Sequence, residues 1–234
     1  MGRLSGPEEQ AQRQQDAAIW RTLLVNELLD VGRFDQVETV PVVFAPQLAP
    51  DERFVGSGAY QLYDFGAVGD GTYERSTGFF FAGGPAGIAL TGTVAAARAI
   101  GNASRRSRAA ADAMPRWKVI DAGQLWVSQH GFTLRGRGGL QAWSWHAILA
   151  AELVGPGRVC FDADAHPQSV QWILQSDWAE LVFTFWARDR HPQHPQFLGR
   201  TWIPPGWAER TVARGHALPP ALSGRWQHRD VQDR

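Results

Sequence analysis

The sequence predicts an α+β protein in which a helical and irregular N-terminal half precedes seven short strands and an amphipathic helix. Three patterns predict it: a helix-capping box near the N-terminus, a change to alternating apolar residues after Pro115, and a return to helical spacing at Ser176. Of the 234 residues, 44% are hydrophobic and 20% are charged, which is the balance of a chain that buries a core.

The first element is a helix that begins after Ser5, which forms a capping box with Glu8, and that Gly32 can end. Only its second half has apolar residues at helical spacing, so only that half has a face to bury. Short strand-like segments follow, and Pro41 would confine the first of them to a sheet edge. These segments cover residues 37–45, 54–66 and 72–81.

A long apolar stretch, Phe79–Ile100, overlaps the start of a predicted alanine-rich helix over residues 85–115. About 20 residues suffice to cross a membrane, and no charged residue lies between Arg75 and Arg98. Its glycines and its proline oppose both helix formation and insertion, so the free energy of insertion lies near zero. A small-residue helix packed within the protein or an oligomer is therefore favoured, and an interfacial helix and a membrane span are the alternatives.

Several arginines cluster on and after this stretch, and most of them share one side of the predicted helix. A solvated helix face explains them. The functional alternative is contact with an anionic lipid surface, to which each arginine would contribute about 1 kcal/mol. Nucleic acid is disfavoured because neither an aromatic stacking set nor a recognised reading motif accompanies the cluster. The candidate residues are Arg98, Arg105, Arg106 and Arg108.

Beyond Pro115 the chain alternates between short apolar segments and turn signals such as Gly138-Gly139. The predicted strands cover residues 117–121, 124–128, 132–136, 140–145, 147–154, 158–163 and 169–175. An amphipathic helix follows, capped by Ser176 or Asp177. The tail from His191 is rich in proline, arginine and histidine, which predicts a segment that lies across a surface or is unstructured rather than a further core element.

Three segments carry a resemblance to a known family: the hairpin "GQLWVSQHGFTL", the segment "WSWHAI" and the helix from Asp177. The matching residues are Gly123, Leu125, Val127, Ser128, Phe132, Leu134, Trp145 and Ile148. Together they resemble the PH-like superfamily, and within it GRAM-type and bacterial PH-like domains, over about residues 117–190. The resemblance implies a seven-stranded bent β-barrel closed by a C-terminal helix, and a binding task. Hairpins of this family often carry a Thr-Asn-x-Arg turn where this chain has "SQHG", so no role of that arginine is carried over.

The predicted organisation has four parts. They are an N-terminal helix with short strands over 1–84, an alanine-rich connecting helix over 85–115, a PH-like barrel over 116–190, and a Pro/Arg-rich tail over 191–234.

Candidate metal ligands are few. Asp162, Asp164 and His166 alternate, so an extended strand would point them to one face, where they could hold a divalent ion. The surrounding "DADAHPQ" is typical of an exposed hairpin turn, and this second interpretation is favoured, so we predict no metal site and no cofactor. His191 and His194 lie in "HPQHPQ", where the prolines prevent helical facing, which is typical of a loop.

Signals for catalysis are weak as well. Cys160 lies between Val159 and Phe161 on a predicted core strand, where a cysteine is usually an inert small hydrophobe. The chain contains no G-x-S-x-G, P-loop or dinucleotide fingerprint. We therefore predict that the protein is not an enzyme; a small metal-dependent enzyme using the Asp162 cluster is the alternative.

The tail contains tryptophans that could dock on a partner. Trp202 and Trp207 flank the prolines of "TWIPPGW", and tryptophan is enriched at interfaces because it buries much area at a low entropic cost. Docking on the protein's own domain is the other interpretation. Both remain open from the sequence.

The function predicted from these observations is a non-enzymatic binding or scaffolding module with a protein partner or a second copy. An assembly protein that uses the small-residue helix and the tail is the alternative. Equal numbers of basic and acidic residues, 23 of each, exclude a strong overall attraction to nucleic acid or membranes. The polar N-terminus and the single cysteine favour the cytoplasm, with a peripheral position at the inner membrane face as a further alternative.

Overall fold

The computed structural model of the protein describes residues 6–66, 116–164 and 169–219. The chain forms two compact units, residues 1–63 with 119–234 and residues 64–118. The predicted strand at 72–81, the connecting helix and its four candidate arginines lie outside the described residues. The core, the cleft and the cavity presented below belong to the first unit.

The described residues form an α+β fold with a curled antiparallel sheet of seven strands and a few helices. The helices are α1 (Gly6–Asp30), α2 (Ala179–Arg190), α3 (Pro195–Gly199) and α4 (Trp207–Ala213). The strands are β1 (Phe54–Gly66), β2 (Arg116–Ser128), β3 (Gly131–Gly136), β4 (Gly139–Ser144), β5 (Ile148–Gly155), β6 (Arg158–Asp164) and β7 (Ser169–Gln175).

The strand order is β4-β3-β2-β1-β7-β6-β5, so β1 joins two three-stranded meanders. The edges of the sheet are β4 and β5, and a short 3-10 helix at Trp145–Ala147 connects them. Trp145 is 2% exposed, and its indole Nε1 donates to the carbonyl of Gln129 at 2.9 Å. This turn therefore brings the chain from one edge of the curl to the other around a buried ring.

The sheet has the predicted number of strands, but its membership differs from the prediction. The predicted strands at 117–121 and 124–128 are one continuous strand, β2, and the seventh strand is β1 from the N-terminal half. The prediction of a strand at 37–45 is wrong. That segment is irregular, and Pro41 removes a backbone donor from its middle, although the N–H of Val40 still donates to the carbonyl of Phe54.

Helix α2 is enclosed on all sides. The sequence predicts one apolar face, whereas nine consecutive residues, Ala179–Ala187, are buried. The curled sheet packs on one side of α2 and α1 packs on another, where the amide of Asn26 donates to the hydroxyl of Thr184 at 3.0 Å. The polar residues of α2 are buried because a second layer of helix covers them and supplies hydrogen bonds.

The start of α2 also differs from the prediction. The helix begins at Ala179. Trp178 occupies the N-cap position, and its side chain makes no capping hydrogen bond. The hydroxyl of Ser176 donates to the carbonyl of Ala59 on β1 at 2.8 Å, so it links the sheet to the helix. A Cβ on Gly58 of β1 would come within 2.8 Å of the Trp178 ring, so glycine at that position lets the ring lie against the strand.

The described part of the predicted tail, which reaches residue 219, contributes to the core, and this corrects the expectation from its composition. Trp202 is 8% exposed and Trp207 is fully buried, so both rings dock on the protein's own chain. The indole of Trp207 donates to the carbonyl of Asp16 on α1 at 3.0 Å. Burying these two large rings outweighs the polar composition of the surrounding sequence.

No helix among the described residues is long and apolar enough to cross a membrane. The stretch Phe79–Ile100 lies outside them.

Candidate functional site

The candidate site is a cleft of about 550 Å³ beside the edge strand β5, which we call the edge cleft. Strands β5 and β6 form one wall, and the C-terminal end of α2 with the turn after it forms the other. The side chains that define its chemistry are Glu152, Cys160, Asp162, Trp186, His191 and His194. The cleft brings together four residues that the sequence singled out for different reasons.

Two side chains cover the outward backbone of β5. The indole Nε1 of Trp186 donates to the carbonyl of Ile148 at 3.1 Å. The amide of Gln196 accepts from the N–H of Leu153 and donates to its carbonyl, both at 2.9 Å. Gln196 thus makes the pair of hydrogen bonds that a neighbouring strand would make, which protects an exposed edge.

Strand alternation directs three functional side chains of β6 away from the core. Val159, Phe161 and Ala163 face the core, so Cys160, Asp162 and Asp164 share the outer face. The expectation that Cys160 is a core residue is therefore wrong, because the register of β6 places it on the cleft side. The shared face predicted for the two aspartates is confirmed.

The thiol of Cys160 stays protonated in this setting. Partial burial raises its pKa, and the nearby charges of Asp162 and Glu152 raise it further. A raised pKa leaves little thiolate at neutral pH, so the environment does not activate a nucleophile. Glu152 lies directly opposite Cys160 in the β5–β6 register. The wall of the cleft that β5 and β6 form is therefore acidic around a neutral thiol.

The two histidines lie in a turn, as predicted, but their rings form part of the cleft wall. Their centroids are 5.6 Å apart, and the His194 ring packs edge-on against Phe183 at 5.1 Å and Trp186 at 5.9 Å. The pKa of His194 is lowered by burial and by the neighbouring His191, against the opposing charge of Glu152. Its Nδ1 accepts from the backbone N–H of Gln196 at 3.2 Å, so the neutral ring carries its proton on Nε2.

The predicted metal ligands are only partly described. Asp162 accepts from the amide of Gln171 at 3.0 Å, and His166 lies outside the described residues. Within the described ranges, no group of three or more His, Cys, Asp or Glu side chains is placed to hold a metal ion.

Three residues of the site were not predicted from the sequence: Glu152, Trp186 and Gln196. From the sequence, Trp186 is only one residue of the apolar face of the amphipathic helix. No local pattern marks Gln196 as the cover of a strand 43 residues away. An isolated polar side chain in the short, proline-initiated helix α3 gives no sequence signal for the edge that it covers.

Comparison with known proteins finds no family model, no curated protein and no solved structure that matches the chain. The fold and the chemistry of the edge cleft are therefore the basis for a functional proposal.

Proposed function

We propose that the protein is a non-enzymatic binding module of the PH-like type, which holds an extended segment of a protein partner along β5. The strand order supports the PH-like assignment. Strand β1 joins two meanders by pairing with β2 and β7, and α2 follows and packs against the curl; this order is the one expected of a seven-stranded bent barrel that a C-terminal helix closes.

The observation that carries the proposal is the outward backbone of β5, with which no strand of the described chain pairs. This strand is an edge of the sheet, and side chains rather than a strand cover it at Ile148 and Leu153. Ala151 is two residues from Leu153 in unbroken register, so its N–H and C=O also face away from β6. An extended peptide could pair with this backbone and place alternate side chains in the edge cleft.

The charges at the cleft favour a basic side chain on that peptide. The charges of Glu152 and Asp162 both raise the pKa of the Cys160 thiol, so both carboxylates lie near this thiol on the wall that β5 and β6 form. Asp162 accepts a hydrogen bond from Gln171 and retains acceptor capacity. A lysine or arginine of the partner would meet two carboxylates there, which gives selectivity more than affinity.

A displayed library of random peptides tests the proposal. The peptides should be about twelve residues long, enough to run along the whole of β5. We expect selection against the full chain to enrich sequences with a lysine or arginine. Ala151→Pro, which removes the outward N–H, and Glu152→Lys should each weaken binding by about tenfold or more.

Two further variants sharpen the same experiment. Gln196→Ala should strengthen peptide binding, because it removes the side chain that competes for Leu153. Glu38→Lys reverses an exposed charge elsewhere and should leave binding unchanged. Failure to enrich any peptide, or equal binding of the peptide to Glu152→Lys and to the wild type, would rule out this site. If Ala151→Pro does not fold, Glu152→Lys still tests the proposal.

The arginine cluster carries a second candidate function, a peripheral contact with an anionic membrane face. Its support is the sequence spacing of Arg98, Arg105 and Arg108, since these residues are not described by the structure. We expect part of the protein to sediment with membranes and to be released by high salt or by replacing Arg105, Arg106 and Arg108 with alanine. A protein that stays in the supernatant at low salt contradicts this candidate function.

A further inference from the structure

A second cavity of about 230 Å³ lies between the C-terminal ends of α1 and α2 and the turn after α3. It is separate from the edge cleft and shares no lining residue with it. Its polar lining consists of Asn26, Glu27, Asp30, Arg188, Arg200 and the indole of Trp202. Two of these residues are cationic and two are anionic, so the lining is neutral as a whole.

Buried polar atoms without a partner are concentrated at this cavity. They are the donors Nε of Arg188, Nη1 of Arg200 and Nε1 of Trp202, and the acceptor Oε2 of Glu27. These four are the majority of the seven such side-chain atoms in the described part of the chain. A buried polar group without a hydrogen bond is costly, so four at one cavity indicate a missing partner.

The two arginines have different surroundings. The two terminal nitrogens of Arg188 donate to the carboxylate of Asp30 at 2.6 Å and to the side-chain oxygen of Asn26 at 3.1 Å. Its Nε has no hydrogen-bond partner. Arg200 makes no side-chain hydrogen bond or ion pair with any described residue. Its guanidinium is therefore available for bidentate binding of a carboxylate.

The backbone conformation of Arg200 is a second indication of a ligand site. It is the C-cap of α3 with φ of 51° and ψ of 30°, and among the described residues it alone has a positive φ without being glycine. Glycine or asparagine would adopt this conformation with less strain. A long cationic side chain at a strained position beside a cavity is the arrangement that ligand sites often contain.

We propose that this cavity binds a small zwitterion of the α-amino-acid class. The carboxylate of the ligand takes the unused donors of Arg200 and Trp202, and its ammonium group donates to Oε2 of Glu27. A neutral lining with three unused donors and one unused acceptor suits a neutral ligand that carries both charges. The volume admits a small amino acid, and Phe197 supplies an apolar wall.

The test measures thermal unfolding of the full chain with each of the twenty L-amino acids at about 10 mM, followed by calorimetric titration of those that raise the midpoint. At least one should raise it. The variant Arg200→Gly removes the guanidinium and suits the left-handed backbone, so it should unfold no more easily than the wild type. Its dissociation constant for the same amino acid should rise by about tenfold or more.

Matched controls make the result specific. Arg33→Ala removes an exposed arginine elsewhere and should leave the dissociation constant within about twofold of the wild-type value. Acetate and methylamine, each carrying one of the two charged groups, should bind more weakly than the amino acid. The proposal is overturned if no amino acid raises the unfolding midpoint, if Arg200→Gly binds as tightly as the wild type, or if acetate alone binds as tightly as the amino acid.

Discussion

Replacing Asp16 by alanine is expected to lower the free energy of unfolding by about 3 kcal/mol, because it leaves two arginines without their shared buried partner. Asp16 is 3% exposed on α1. Its carboxylate accepts from Arg210 through both oxygens, at 2.8 and 3.0 Å, and from Arg214 at 2.7 Å. Its backbone carbonyl accepts from Trp207, so one residue of α1 bonds to the first residue of α4, to its middle and to its C-cap.

The effect of pH on this contact has a definite sign. Burial opposes ionisation of Asp16, but the hydrogen bonds from Arg210 and Arg214 outweigh it and hold its pKa below the ordinary carboxyl value. A lowered folded-state pKa stabilises the protein above the pKa of the unfolded chain. We therefore expect the contribution of Asp16 to be complete near neutral pH and to be lost as the pH falls through the folded-state value.

Denaturant unfolding measures the loss, and hydrogen exchange locates it. Alanine is the better helix former, so a loss on Asp16→Ala cannot come from weaker helix propensity in α1. Amides of α4 should lose protection while those of β6 keep theirs. Glu9→Ala breaks an exposed pair with Arg13 and should cost less than about 0.5 kcal/mol. Equal losses in the two variants, or unchanged exchange in α4, would show that Asp16 does not hold the tail.

Replacing Glu180 by glutamine is expected to change the free energy of unfolding in a pH-dependent way. Compared with the wild type at the same pH, the variant should be more favoured at high pH than at low pH. Glu180 is fully buried near the start of α2. Its Oε1 accepts from the N–H of Gly157 at 2.7 Å, and its Oε2 has no partner among the described residues. Burial raises its pKa to about 7, against these hydrogen bonds and with a small further rise from the charge of Asp177.

The direction of the pH dependence follows from that rise. A raised folded-state pKa contributes stability below the unfolded-state value of 4.5, and that contribution is lost as the pH rises through about 7. One pKa unit corresponds to about 1.4 kcal/mol, so the wild type should lose roughly 3 kcal/mol from this group between pH 4 and pH 8. Glutamine keeps an acceptor for Gly157 and carries no charge.

The measurement is the difference in unfolding free energy between Glu180→Gln and the wild type, taken at both pH values. The change in this difference is independent of any constant cost of the buried amide. Glu9→Gln, at an exposed position of α1, is the matched control and should show a change below about 0.5 kcal/mol. A difference for Glu180→Gln that is the same at both pH values contradicts the assignment of a buried ionisable group.

Local patterns predicted much of the secondary structure. The strands β1 and β7 have the bounds that alternation and turn residues predict, and α1 runs over Gly6–Asp30, directly after the predicted cap position and just before Gly32. Gly32 has φ of 70°, as a helix-ending glycine requires. These features were predictable because each depends on residues within a few positions of one another.

The candidate sites could be predicted only in part. Alternation along β6 correctly placed Asp162 and Asp164 on one face, but the choice of which face meets the core depends on the pairing with β5 and β7. The same choice moved Cys160 from the expected core to the cleft. The unpaired Arg200 and the edge cover by Gln196 depend on side chains from distant segments, which composition and spacing do not reveal.

The sequence by itself determined the α+β class, most of the strands and the helix that follows them, because hydrogen-bonding propensity and apolar periodicity act over short distances along the chain. Only the tertiary structure decided that β1 lies between β2 and β7, that the tail residues Trp202 and Trp207 belong to the core, and that the edge cleft and the Arg200 cavity exist. The contacts responsible join distant residues: Trp207 reaches Asp16 across 191 positions, and the burial of its ring outweighs the polar composition around it.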